Sequence, residues 1–201
     1  MMRKLAAGAA VLMLAVAPAW AQAPPPGLGW THGTVDKIAG ETLVVKSPEG
    51  PRTVTLGPKV RIQTLVKKSI ADIKPGDYLA SAGVRGKDGK LHAVEVRIFP
   101  QAMPNGGGQF AWDLGSGSMM TNATVGTVTK APEGEVVHVK FKGGEAAYSI
   151  GPDVPILAPA PGDRSLLKPG AAVFAFGRKN PGGGLTAAAV YVEKNGIKPP
   201  M

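Results

Sequence analysis

Leu56-Gly57-Pro58-Lys59-Val60-Arg61-Ile62 returns 94 residues later as Ile150-Gly151-Pro152-Asp153-Val154-Pro155-Ile156. Matches continue outward in order. Lys74-Pro75-Gly76 recurs as Lys168-Pro169-Gly170, and Leu91, Ala93 and Val96 recur as Leu185, Ala187 and Val190. Upstream, Gly33-Thr34-Val35 recurs as Gly126-Thr127-Val128 at a spacing of 93. An ordered series of matches at a near-constant offset marks an internal duplication. The chain therefore reads as two copies of one unit, 30–99 and 122–193, with a connecting segment at 100–121.

Within each copy, short runs of β-branched and apolar residues are separated by Gly, Pro, Asp and Asn, the pattern of strands joined by tight turns. The first copy predicts strands over Thr31–Ile38, Thr42–Lys46, Arg52–Leu56, Val60–Val66, Tyr78–Val84 and Leu91–Phe99. The second predicts Thr124–Lys130, Val136–Phe141, Ala146–Ile150, Val154–Leu157, Ala172–Arg178 and Thr186–Glu193. The local exception is Ser69–Ile73, where Ser69 can cap a single helical turn. Lys74-Pro75-Gly76-Asp77 after it reads as a type II turn, with Pro75 fixing φ and Gly76 supplying φ > 0. Asp163–Gly170 repeats the device. Six short strands per copy close most naturally into a small barrel of the OB kind. The predicted fold is all-β, with two tandem OB-like β-barrels joined by an irregular linker.

The ends carry different information. Arg3 and Lys4 precede an uncharged apolar run, Leu5–Ala17, and Ala19-Trp20-Ala21 is an A-x-A triplet. These are the zones of a secretory signal peptide, 1–21, cut after Ala21. Thirteen apolar residues fall short of the roughly 20 that span a bilayer, so the expected product is periplasmic or secreted and not an integral membrane protein. A Pro-rich segment at 22–29 leads into the first unit, and 194–201 forms a C-terminal tail. Cysteine is absent, so apolar cores rather than disulfides must hold the fold. Without the signal peptide 21 Lys and Arg face 14 Asp and Glu, and the excess is uneven: 30–99 carries 12 basic and 7 acidic residues, 122–193 only 7 and 6. Such a field suits an anionic cell-envelope component or serves as a solvated surface. The exported compartment makes nucleic acid an unexpected partner.

Gly-Thr-Val in the first strand, Leu-Val-Val-Lys in the second, Ile-Ala-Asp-Ile-Lys-Pro-Gly-Asp at the turn and the final Leu-x-Ala-x-x-Val strand together resemble DUF5666-type exported bacterial proteins. The likeness covers nearly the whole chain after the signal peptide. It extends to the connection, with Phe99-Pro100-Gln101-Ala102-Met103, Trp112-Asp113-Leu114 and Met120-Thr121-Asn122-Ala123. The resemblance implies an OB-like fold and no assigned activity. Some relatives carry the label of metal-transporter components. Ala171 stands in the second copy where the first has Asp77, so no role of that aspartate is shared.

Enzyme signatures are missing: there is no P-loop, G-x-G-x-x-G, G-x-S-x-G or H-E-x-x-H. The two Gly triplets, at 106–108 and 182–184, lack phosphate-binding companions and read as loops. Three histidines limit acid–base and metal chemistry. His92, in phase with Val94, Val96 and Ile98, is expected to turn into the barrel; His138 is expected to face solvent. Aromatic residues in the connection either plug the seam between barrels or form a stacking platform, which makes Trp30, Phe110 and Trp112, with Asp113 and Asn122 as polar contacts, the candidate ligand-binding residues. Thioethers and imidazoles at Met103, Met119, Met120, His32 and His92 suit a soft or borderline ion such as copper, although Met equally fills irregular gaps.

The leading expectation is an exported, non-enzymatic binding or interaction module, with an anionic envelope component or another exported protein as partner. The alternative is a periplasmic metal-handling protein associated with a transporter.

Overall fold

The computed structural model describes residues 26–99, 107–132 and 134–199. The segment read as a signal peptide, half of the Pro-rich segment (22–25) and Met103 lie outside the described residues. The described residues form an all-β fold of twelve strands. The first-copy strands are β1 (Leu28–Ala39), β2 (Thr42–Ser47), β3 (Gly50–Lys68), β4 (Tyr78–Arg85) and β5 (Leu91–Phe99); β6 (Gly108–Ala111) lies in the connection. Six follow: β7 (Ser118–Ala131), β8 (Gly134–Phe141), β9 (Gly144–Ile150), β10 (Ile156–Pro161), β11 (Ala172–Lys179) and β12 (Leu185–Val192). No helix of the described residues is long and apolar enough to cross a membrane.

Two five-stranded rings close, but neither copy closes its own. In the first ring β1 pairs β2, β2 pairs β3, β3 pairs β12 in parallel, β12 pairs β11 and β11 returns to β1. In the second, β7, β8, β9, β5 and β4 follow one another in the same way, with β5 and β9 parallel. Each ring is an OB-like barrel whose first three strands come from one copy and whose last two come from the other. The expectation of one barrel per copy, at 30–99 and 122–193, is corrected on this point: the barrels are two, and the copies exchange halves.

The cores follow the exchange. Val35, Leu43, Val45, Val54 and Leu56 of the first copy pack with Val173, Ala175, Leu185, Val190 and Val192 of the second. In the other barrel Leu79, Leu91 and Val96 pack with Val125, Val137, Val139 and Ile150. Full burial of one such side chain contributes about 1.5–3 kcal/mol, so separating the halves would open both cores at once.

The crossing point is the second half of β3. The sequence predicts separate strands at Arg52–Leu56 and Val60–Val66, but β3 runs on through Gly57-Pro58, with only a register irregularity against β12. Gln63–Lys68 then pairs antiparallel with β10, from Ile156↔Lys68 to Pro161↔Gln63. Moving β10 back by the 94-residue offset makes Pro159 the equivalent of position 65, and its partner is Leu65 itself. The two equivalent segments therefore pair about a local two-fold axis at Leu65–Pro159. β5 reaches only Ile156 and Leu157 of β10, so Pro159 and Pro161 fall where a missing N–H costs little.

Pairing also refines the repeat. Val35 faces Val45 and hydrogen-bonds with Ala171 through its N–H, while Val125 faces Val139 and does the same with Asp77. Val35 is thus equivalent to Val125, not Val128, and the offset along β1 and β7 is 90 residues. Four extra residues in the second copy lengthen the β7–β8 hairpin. The turn prediction holds in both copies: Asp77 N–H donates to the Lys74 carbonyl and Ala171 N–H to that of Lys168, with φ of 91° at Gly76 and 87° at Gly170. Ser69 begins a single 3-10 turn, Ile70–Asp72, its N–H and hydroxyl both donating to Asp72. These two bonds hold the Asp72 carboxyl below its ordinary pKa.

If the exchange is intrinsic to each copy, a fragment of residues 26–99 should self-associate, with Leu65 facing Leu65 across a true two-fold. Light scattering is expected to give a dimer. A monomer with cooperative unfolding would show that one copy closes alone.

Candidate interaction site

β-strand alternation gives β11 two apolar faces: Val173 and Ala175 enter the first barrel, so Phe174 and Phe176 point out of it. Trp30 on β1 and Tyr191 on β12 share that outer face. Leu65, at the local two-fold, and Leu157 beside it pack beneath them, and Ile197 of the C-terminal segment adds to the edge. The connection between the copies supplies the cover. After β6 the chain lays Trp112 on Trp30, with ring centroids 4.5 Å apart and planes 23° from parallel. Phe110 meets Trp112 edge-on at 6.0 Å, and Trp112 leans on Phe174 at 6.4 Å. The aromatic residues of the connection therefore plug the seam, while Trp30 and Trp112 stay half-exposed.

The polar rim is set by Asp113. Its carboxylate accepts the Trp30 indole N–H at 2.8 Å and lies 3.8 Å from Nδ1 of His32. The indole N–H of Trp112 and Nδ1 of His32 are shielded from solvent with no hydrogen-bond partner. Four of the five predicted ligand-binding residues, Trp30, Phe110, Trp112 and Asp113, thus come together, and His32 joins them. Asn122 does not: it sits in β7 opposite Gly108 and Ala80.

Under the cluster lies a buried ion pair that sequence reading missed. Glu95 and Arg97 alternate on the outer face of β5, 4% and 8% exposed, with the guanidinium donating to the carboxylate. The guanidinium carbon also stands 5.2 Å from the Phe174 ring centre and 5.1 Å from that of Tyr191, a cation–π contact in a water-poor setting. Burial raises the Glu95 pKa, an effect that Arg97 opposes without cancelling. Burial also raises Tyr191, again opposed by Arg97. Phe174 and Phe176 alternating with Val173 and Ala175 was the available signal, because aromatics on the second face of a barrel strand require a further layer.

Among the described metal candidates, Met119 and Met120 fall on opposite faces of one strand, β7, and Met119 is buried in the second barrel. His92 does not enter the barrel. Val94 is an extra residue in β5 between the Ala82↔Glu95 and Gly83↔Ala93 pairs, and this bulge reverses the inward phase. Leu91 and Ala93 then point in, and His92 lies outside between Asp88, at 3.1 Å, and the Ser149 hydroxyl, at 2.8 Å. The hydrogen bond to His92 is the main reason the Asp88 pKa is lowered. His138 faces solvent as predicted. Among the described residues no group of three His, Cys, Asp or Glu is placed to hold a metal ion. Comparison with known proteins finds no matching family model, no similar curated protein and no similar solved structure.

Trp112→Ala should lower unfolding free energy by about 2 kcal/mol in urea titration, toward the low side for a large aromatic because the ring is half-exposed. Glu95 supplies a pH test. Its raised folded pKa means that its stabilising contribution is complete below the ordinary Glu value, about 4.3, and is lost as pH rises through the folded value. The stability of the wild type relative to Glu95→Gln should therefore fall across that interval in chemical denaturation at stepped pH; a pH-independent difference would refute the burial argument.

Proposed function

We propose that this protein is an exported, non-enzymatic binding or interaction module, and that its contact surface is the seam patch built on Trp30 and Trp112. The observation that carries this reading is the stacked, half-exposed indole pair with Asp113 and His32 at its rim. Stacked indoles offer a broad, rigid surface with a polar edge, the composition that interfaces favour. The patch sits where the connecting segment, which brings Trp112 and Asp113, meets β1 of the first unit, which brings Trp30 and His32.

Charge supports an anionic envelope component or another exported protein as partner. The strand regions of the first barrel, 28–68 and 172–192, carry nine Lys and Arg against three Asp and Glu. The excess noted for the first copy therefore stays with the first barrel despite the exchange. The signal-peptide pattern at 1–21 and the resemblance to DUF5666-type proteins agree with export, and sequencing the N-terminus of the secreted chain should return Gln22.

The binding test is equilibrium retention of the protein by a panel of envelope glycans and outer-membrane extracts at low and high salt. Retention should be salt-sensitive and weakened by Trp112→Ala; no retention at either salt removes the reading.

A further inference from the structure

β6 answers a need in the second barrel that is left open in the first. On one side β7 pairs β4. On its other side it pairs β8 from Thr124 onward, and β6 fills the preceding stretch through Gly108↔Asn122, Gln109↔Thr121, Phe110↔Met120 and Ala111↔Met119. Gln109 points inward and its amide donates to the Thr121 hydroxyl at 3.0 Å, both side chains being buried. By the 90-residue offset, Trp30, Thr31 and His32 are the equivalents of Met120, Thr121 and Asn122. β1 pairs β11 over Leu28–Thr34 and β2 only from Thr34 onward. Among the described residues no strand lies beside Leu28–Gly33 on the β2 side.

Two independent features mark this edge as unfilled rather than merely terminal. The Thr31 hydroxyl, equivalent to the one that Gln109 satisfies, is buried without a hydrogen-bond partner in a residue only 6% exposed. Leaving such a group unsatisfied is costly. Secondly, strand edges are commonly protected by charge or proline, and Gly29-Trp30-Thr31-His32-Gly33 contains neither. Alternation along β1 fixes the direction of the backbone: Val35 N–H turns to β11, so the N–H and C=O of Trp30 and His32 turn to the open side.

We infer that the Trp30–His32 edge of β1 receives an added antiparallel strand from another exported protein, an extended segment patterned like β6, with Gln or Asn opposite Thr31. Main-chain hydrogen bonds to Trp30 and His32 supply affinity, and the side-chain amide reaching Thr31 supplies selectivity. An aromatic residue opposite Trp30 would extend the seam layer as Phe110 does. This deepens the interaction-module reading, on which it rests, by naming the partner's chemistry; it does not depend on retention by the indole patch.

The probe is an end-capped peptide, Gly-Gly-Gln-Phe-Ala, copying residues 107–111, titrated into the full chain with backbone amide shifts as readout. Saturable shifts are expected at Trp30–His32. Replacing Gln by Leu in the peptide should weaken binding roughly 2- to 10-fold, the range of one hydrogen bond. N-methylation at Phe should abolish binding. Thr31→Val should erase the preference for Gln, and the peptide series on the wild type decides the matter if that variant fails to fold. No saturable shift, equal affinity for the Gln and Leu peptides, or shifts confined to Met120–Asn122 through displacement of β6 would each overturn the inference. So would concentration-dependent dimerisation through the same amides without peptide, which would make a second copy the occupant. Peptide binding without retention on envelope components would leave this inference standing while the indole-patch reading fell.

Discussion

The antiparallel pairing of Gln63–Lys68 with Ile156–Pro161 is the constraint on which the rest of the molecule depends. It commits the chain leaving the first barrel to enter the second, and by the equivalence of the two segments it commits the return as well. Each core then contains strands of both copies, and the interface between copies has the character of a domain interior. This is strand exchange of the kind that joins protomers in swapped dimers, carried out within one polypeptide. Loop closure between the copies is already covalent, so no association entropy opposes it.

Duplication supplies the frame, and substitution at equivalent positions supplies the individuality. Phe174, Phe176 and Tyr191 on the outer wall of the first barrel correspond to Ala80, Ala82 and Arg97 on the second. One wall is large and aromatic, the other small with a single cation, so the walls complement each other across the local two-fold. Arg97 is seated between rings of Phe174 and Tyr191, the latter being its own repeat equivalent. A perfectly repeated sequence would have placed like against like there.

The connecting segment completes this asymmetry. It contributes β6 to one barrel and Trp112 to the wall of the other, which is why the residues least like the repeat lie at the place where the barrels meet. The same segment leaves β1 as the less finished of the two equivalent edges. Stability is shared between the copies; the aromatic wall is not.

Much was legible in the chain itself. Periodicity, turn residues and self-similarity determined the all-β class, two barrels and the type II turns, and aromatic side chains that need cover pointed to the grouping of Trp30, Phe110, Trp112 and Asp113. The orientation of His92 was not legible, since one bulged residue, Val94, reverses the alternation and is specified by pairing with β4. Nor was β6, four residues long, whose strand state depends on the edge of β7. Strand exchange had one overlooked trace: Val60–Lys68 contains no Gly, Pro, Asn or Asp, and nine extended residues span roughly 30 Å, too far to remain within one small barrel. The local signals specify strands equally well for either partner; only the joint burial of both cores and the pairing of β3 with β10 decided which halves close together.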